Sequence, residues 1–185
     1  MFNELFYFIL IGGLVVLMTY VEAFRSEFRH QLWAGLPKIP WFISMVLTIV
    51  SFLYMTGVWI FNTDEKMVYG GDNRHYVILF YTMFIVGAIL WTPITLISIH
   101  RGTKLSLVFI SLWMTALGSI GILVMTLGLE NETLACVAAG ICMLHHVIFD
   151  AIYWWCTWNP HQRALLEIAS NTPIHNIDYE NLEFI

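Results

Sequence analysis

Three ionisable side chains stand in the middle and second half of one apolar run: His145, His146 and Asp150, within Leu134–Thr157. The run is long enough to cross a bilayer. Ionisable groups at that depth are costly and face a bundle interior or a wet cavity. A carboxylate and an imidazole one helical turn apart can pass a proton, since histidine exchanges its proton near neutrality. The same pair can instead be an architectural hydrogen bond that fixes helix packing.

Helical spacing sorts this run into two faces. Ala135, Ala139, Cys142, His146, Asp150, Tyr153 and Thr157 share one stripe. Val137, Ile141, Leu144, Ile148, Ile152 and Trp155 share the other. Small residues let helices approach closely in lipid, so the first stripe is predicted to face the bundle. His146 then lies one turn before Asp150 on the same face. His145, turned by about 100°, sits toward the edge as a supporting group.

The elements that must position these groups are legible from composition. The chain has 185 residues, 59% hydrophobic and 11% charged. An ordinary soluble domain carries roughly 25% charged residues, so this apolar surface calls for a membrane as solvent. Five runs, 5–23, 41–61, 76–99, 105–129 and 134–157, each reach the roughly 20 residues a spanning helix needs. They are continuous rather than alternating, which argues against barrel strands. The expected fold is an all-α bundle of five transmembrane helices over residues 1–157, followed by a tail over 158–185. Glu4 and the lack of a basic n-region make the first run a retained span rather than a cleaved signal.

Lys and Arg set the orientation. The first and third connectors carry Arg25, Arg29, Lys38, Arg101 and Lys104, whereas the second and fourth carry only Lys66 and Arg74. The N-terminus is therefore expected outside and the C-terminus in the cytoplasm, with Arg163 in agreement. Asn131-Glu132-Thr133 is a glycosylation sequon on the expected outer side. Tyr179-Glu180-Asn181-Leu182 resembles a tyrosine-based sorting signal on the inner side, with Tyr179 and Leu182 as its anchors. In the tail, 161–169 has the pattern of a short amphipathic helix lying on the membrane surface. Trp41, Trp59, Trp154, Trp155 and Trp158 fall near span ends, as an aromatic belt does.

Other spans offer polar stripes that can meet the fifth. Gly12, Thr19 and Glu22 line the first; Ser44, Thr48 and Ser51 the second; Thr92 and Thr95 the third; Ser111, Thr115 and Gly118 the fourth. Single Ser and Thr residues in such helices also bond the carbonyl four back, a purely local role. Glu22 is either a second carboxylate or inner gate, or a side chain reaching the headgroups. Thr92-Pro93 is expected to bend the third span, with Thr95 bonding a freed carbonyl. In the expected orientation most polar groups lie at mid-membrane or below, which predicts a cavity open inward and closed outward.

The candidate transport or ligand site is His146, Asp150, Glu22, His145, Tyr153 and Thr48. The leading expectation is a small protein that transports or conducts protons or ions, working as a homo-oligomer or with partner membrane subunits. A second reading is a membrane enzyme using metal or haem in the same pocket, since imidazole and carboxylate suit zinc or iron. No HExxH pattern supports it, and the metal or cofactor stays unassigned. A third is an accessory or receptor subunit, whose acidic tail would dock a cytoplasmic partner. Beyond the lipid bilayer itself, nucleic acid is excluded as a partner, because there is no basic stripe and the net charge is −5. No span contains Lys, so a retinal Schiff base has no anchor, and no GxSxG or phosphate-binding loop occurs. Cys136, Cys142 and Cys156 form no CxxC pair and read as packing residues.

Overall fold

The computed structural model describes residues 2–27, 32, 37–61, 74–129 and 132–158. Five long helices account for nearly all of them: α1 (Phe2–Arg25), α2 (Lys38–Phe61), α3 (Arg74–Arg101), α4 (Ser106–Leu127) and α5, which runs from Thr133 to Thr157. All five are long and apolar enough to cross a membrane. The expected helices therefore appear within two or three residues of their sequence-read bounds. The sequon at Asn131, the tail helix and the Tyr179–Leu182 motif lie outside the described residues.

Outward faces are dominated by large apolar side chains. Leu17, Met18, Val50 and Leu53 are each more than 60% exposed. Such oily surface suits contact with acyl chains, not water. Helices α3 and α4 pack most closely, α2 packs on α5, and α1 bridges α2 and α3. With α4 also against α5, the helices close a ring in the order α1–α2–α5–α4–α3.

Small residues permit the α3–α4 approach. A Cβ added at Gly118 would lie 2.6 Å from the Phe84 backbone nitrogen, and one at Gly87 would lie 2.7 Å from the Ser111 carbonyl. Close backbone approach supplies dispersion and weak polar contact where lipid gives no hydrophobic drive. Helix α3 ends in a Schellman turn: Gly102 takes φ +63°, its N–H bonds the Ile99 carbonyl, and Thr103 N–H bonds that of Ser98. The Ser98 hydroxyl also bonds the Thr103 carbonyl and accepts from Leu105 N–H, which fixes the α3–α4 corner.

Helix α3 continues through Pro93 for 28 residues. Proline deprives the carbonyl of Ile89, four residues back, of its donor. The Thr95 hydroxyl instead bonds the Trp91 carbonyl at 2.6 Å. The expected rescue thus falls on a different carbonyl. Ser111, Thr115, Ser119 and Thr126 likewise bond carbonyls three or four residues back within α4. These hydroxyls satisfy themselves locally, as Ser and Thr do in apolar helices.

The core divides along the helix axes. At one end, Met55, Trp59, Tyr81, Ile85, Ile122 and Met125 pack together, with Ala138 and Ala139. At the other, Ala23, Leu32, Trp91, Ile99, Val108, Leu112, Trp154 and Trp158 pack together. The second end contains the C-terminal halves of α1, α3 and α5. The tryptophans read as a surface belt are therefore partly core: Trp59, Trp154 and Trp158 are at most 5% exposed. Each of the first two finds an internal partner for its N–H, Trp59 on the Thr126 hydroxyl at 3.1 Å and Trp154 on the Leu32 carbonyl at 2.8 Å. An indole can be buried once its one donor is satisfied.

Candidate functional site

Helix α5 is not wound uniformly. Thr133–Leu144 is α-helical, His145–Trp154 is a π-helix, and Trp155–Thr157 returns to α. A π turn bonds i to i+5, so residues five apart share a face, and such turns concentrate at functional sites. This winding rearranges the site.

Up to Asp150 the expected inward stripe holds: Ala135, Ala139, Cys142 and His146 are buried. Beyond it the buried positions are Ala151, Trp154 and Trp158. Tyr153, at 39%, and Thr157 are exposed. The inward face has moved by one residue, which is the effect of wider turns on an α-helical stripe. Tyr153 is therefore corrected from the site to the outer surface, and Trp154 takes its place inside.

The histidine partnership changes for the same reason. His145 Nε2 lies 3.7 Å from Asp150 Oδ1, an i,i+5 pair. His146, expected to pair with Asp150, instead has Nδ1 at 2.7 Å from the Cys142 carbonyl. A carbonyl only accepts, so Nδ1 of His146 carries the proton. Its ring packs edge-on against Phe84, centroids 4.8 Å apart. His146 is thus held as a buried donor to its own helix, and His145 is the histidine that meets the acid.

His145 is also tied to α2. Its Nδ1 lies 2.9 Å from Ser44 Oγ. The direction of that bond follows the ring's tautomer: with the proton on Nε2 the serine hydroxyl donates to Nδ1, and with it on Nδ1 the ring donates to the serine oxygen. Ser44, His145 and Asp150 therefore form one polar line across the α2–α5 contact. Ser44 heads the polar stripe of α2. One turn on, Thr48 is buried, its carbonyl faces the Cys142 thiol at 3.5 Å, and its hydroxyl makes no hydrogen bond among the described residues. Thr48 thus borders the site without touching Asp150.

Asp150 looks toward α1 and α2. Trp41 lies beside its carboxyl and against the His145 ring, at 6.4 Å between centroids. The Tyr20 hydroxyl lies within electrostatic reach of the same carboxyl. Asp150 sits deep in the bundle, yet 26% of its side chain is accessible. Placing an acid there costs roughly 3 kcal/mol on insertion scales. Polar neighbours and an accessible edge offset that cost.

Glu22 is not part of this group. Helix α1 turns Ala23 inward at 0% exposure, with Tyr20 three residues earlier, and this rotates Glu22 onto the exposed surface. Glu22, expected as a second carboxylate or inner gate or as a side chain reaching the headgroups, stands on the exposed surface near the end of α1.

Sequence reasoning placed Ser44 on the right stripe without singling it out, and it missed Tyr20 and Trp41. The signal for Trp41 was present, since it stands one turn before Ser44 on α2. Among the described residues no three His, Cys, Asp or Glu side chains converge as a metal-holding set. The arrangement can hold a proton on the carboxyl or on the imidazole 3.7 Å away, or bind a small polar or charged group at the carboxyl. The chain matches no protein-family model, no curated protein and no solved structure.

Proposed function

We propose that this protein is a small membrane transporter or conductor in which Asp150 and His145 take up and release protons, with Ser44 as the next hydroxyl in line. The observation that carries the reading is the Ser44–His145–Asp150 line, built from two helices at an accessible point inside an apolar bundle. Intramembrane acids and histidines in such lines characterise proton relays. By the count of basic residues, the end holding Asp150 faces the cytoplasm and the N-terminus lies outside. The tightly packed Met55, Trp59, Tyr81, Ile85 and Ile122 would then close the outer half. Five helices enclose a narrow path, so we also propose that the protein works as a homo-oligomer or beside partner membrane subunits.

The same Ser–His–Asp connectivity can activate a hydroxyl nucleophile. Hydrolysis needs donors for the oxyanion. Ser44 lies inside α2, where each backbone N–H is committed to a carbonyl four residues back. No free backbone pair is offered beside the hydroxyl, so relay is the better reading. A metal-dependent enzyme lacks a converging donor set among the described residues. The accessory-subunit reading rests on the tail, which lies outside them.

Proton flux into liposomes tests the proposal. With purified protein, a membrane potential and an internal pH dye, wild type is expected to carry flux above empty liposomes. Asp150→Asn keeps shape and hydrogen bonding but cannot release a proton, and is expected to lower the flux by about 100-fold, the scale of a lost acid–base group. Equal flux in both would remove Asp150 from the mechanism.

A further inference from the structure

The hydroxyl line on α2 is interrupted. Ser44, Thr48, Phe52 and Thr56 follow at four-residue intervals, so they share one face of the helix. Three are hydroxyls and one is a phenyl ring. Ser44 reaches His145, and Thr48 is buried one turn further on. Beyond Phe52, the Thr56 hydroxyl lies 3.2 Å from that of Tyr81 on α3, and both residues are buried.

Phe52 does not stand alone. Its ring stacks on Phe84 of α3, with centroids 5.1 Å apart and planes 15° apart. Phe84 in turn meets the His146 ring of α5 edge-on. In the ring of helices α3 is a neighbour of neither α2 nor α5. Side chains that join helices which are not neighbours meet across the interior. Phe52, Phe84 and His146 therefore cross the middle of the bundle at one level. Polar groups lie on either side of it. Ser44 and His145, whose ring is 5.3 Å from that of His146, lie toward the end that holds Lys104, and the Thr56–Tyr81 pair lies toward the other.

A pair of phenyl rings offers water no donor and no acceptor. A water inside a protein needs roughly two to four polar partners. Hydrophobic constrictions in membrane proteins block by shedding water, and hydrated ions stop with it. His146 adds little here, because its Nδ1 is committed to the Cys142 carbonyl.

We infer that Phe52 and Phe84 form the barrier of the path and determine what passes it. Water and hydrated ions reach Asp150, His145 and Thr48 from the Lys104 side and stop at the stacked rings. This rests on the reading of the polar line as a transport path, and it places the selectivity of that path. Removing one ring opens Thr56 and Tyr81 to the same water.

Silver ion, a small hydrated cation that binds thiols, tests the barrier. The protein carries Cys136→Ser, Cys142→Ala and Cys156→Ser, with either Thr48→Cys or Thr56→Cys, in sealed, oriented vesicles. Silver is added briefly from the Lys104 side, and the thiol that remains is counted with a maleimide after unfolding. The thiol at position 48 is expected to react, and the one at position 56 at least about tenfold more slowly, as a dry constriction requires. Adding Phe52→Ala or Phe84→Ala is expected to bring position 56 up to the rate of position 48, in proteins with an unchanged elution profile. Equal rates at 48 and 56 with both rings intact overturn the inference, as does a thiol at 48 that resists silver. An unchanged rate at 56 in folded Phe52→Ala and Phe84→Ala overturns it too. Should both alanine proteins fail to fold, the comparison of 48 with 56 still decides. Silver entry needs no proton transfer, so the two readings fail separately. Flux that ignores Asp150→Asn removes the relay, whereas fast reaction at 56 removes only the barrier.

Discussion

His145→Gln is expected to lower proton flux by about 100-fold, the loss typical of a missing acid–base group. His146→Gln is expected to change it by less than about threefold, under about 0.7 kcal/mol in a barrier. Glutamine can still bond Ser44 and approach Asp150 from position 145, so packing is largely kept while proton exchange is lost. At position 146 the amide can still donate to the Cys142 carbonyl, which is the bond His146 makes. The comparison therefore separates relay from architecture. It also separates π from α winding, because an α-helical α5 would have put His146 in the sensitive position. Flux in liposomes measured side by side, with matched protein incorporation, is the readout. Equal losses at both positions would contradict the assignment.

Trp154→Ala is expected to destabilise the protein by about 3–5 kcal/mol, the range for deleting a large buried aromatic. The indole is 1% exposed and stacks on Trp158 at 4.6 Å. It meets Trp91 edge-on, and its N–H holds the Leu32 carbonyl. Removal leaves a cavity and an orphaned acceptor together. Tyr153→Ala, one residue earlier on the exposed side, is expected to stay within about 0.5 kcal/mol of wild type, as surface changes do. Reversible unfolding in mixed micelles with rising SDS checks both. A stability loss at Tyr153 rather than Trp154 would mean that the inward face follows α spacing after all.

The gross fold was legible because lipid leaves few options. Every backbone polar group must be paired inside a span, so length and hydropathy locate the helices directly. The stripes of α2 and α4 were also legible, since Ser44, Thr48, Ser111, Thr115 and Gly118 repeat at helical intervals and do face neighbouring helices. Periodicity could not reveal the π stretch. It assumes 3.6 residues per turn, and the sequence HHVIFDAIYW shows no proline or glycine to announce a change. The consequences are local and specific: His145 replaces His146 as the partner of Asp150, and Trp154 replaces Tyr153 in the core. Glu22 misled for another reason. Its distance from Thr19 suits a shared face, but Ala23, smaller and one position on, lets α1 approach its neighbours on the adjacent side. The tryptophans misled because an interface belt and an end-of-bundle core occupy the same sequence positions. Their burial, at most 5% exposure for Trp59, Trp154 and Trp158, distinguishes the two.

The most direct measurement concerns access to position 150. In a protein carrying Cys136→Ser, Cys142→Ala and Cys156→Ser, Asp150→Cys would be exposed in sealed, oriented vesicles to a membrane-impermeant maleimide from each side in turn. Modification is expected from the side that holds Lys104 and the C-terminal end of α1, and not from the other. A thiol that resists the reagent from both sides, and reacts only after unfolding, would show the acid packed dry and would contradict a working site there.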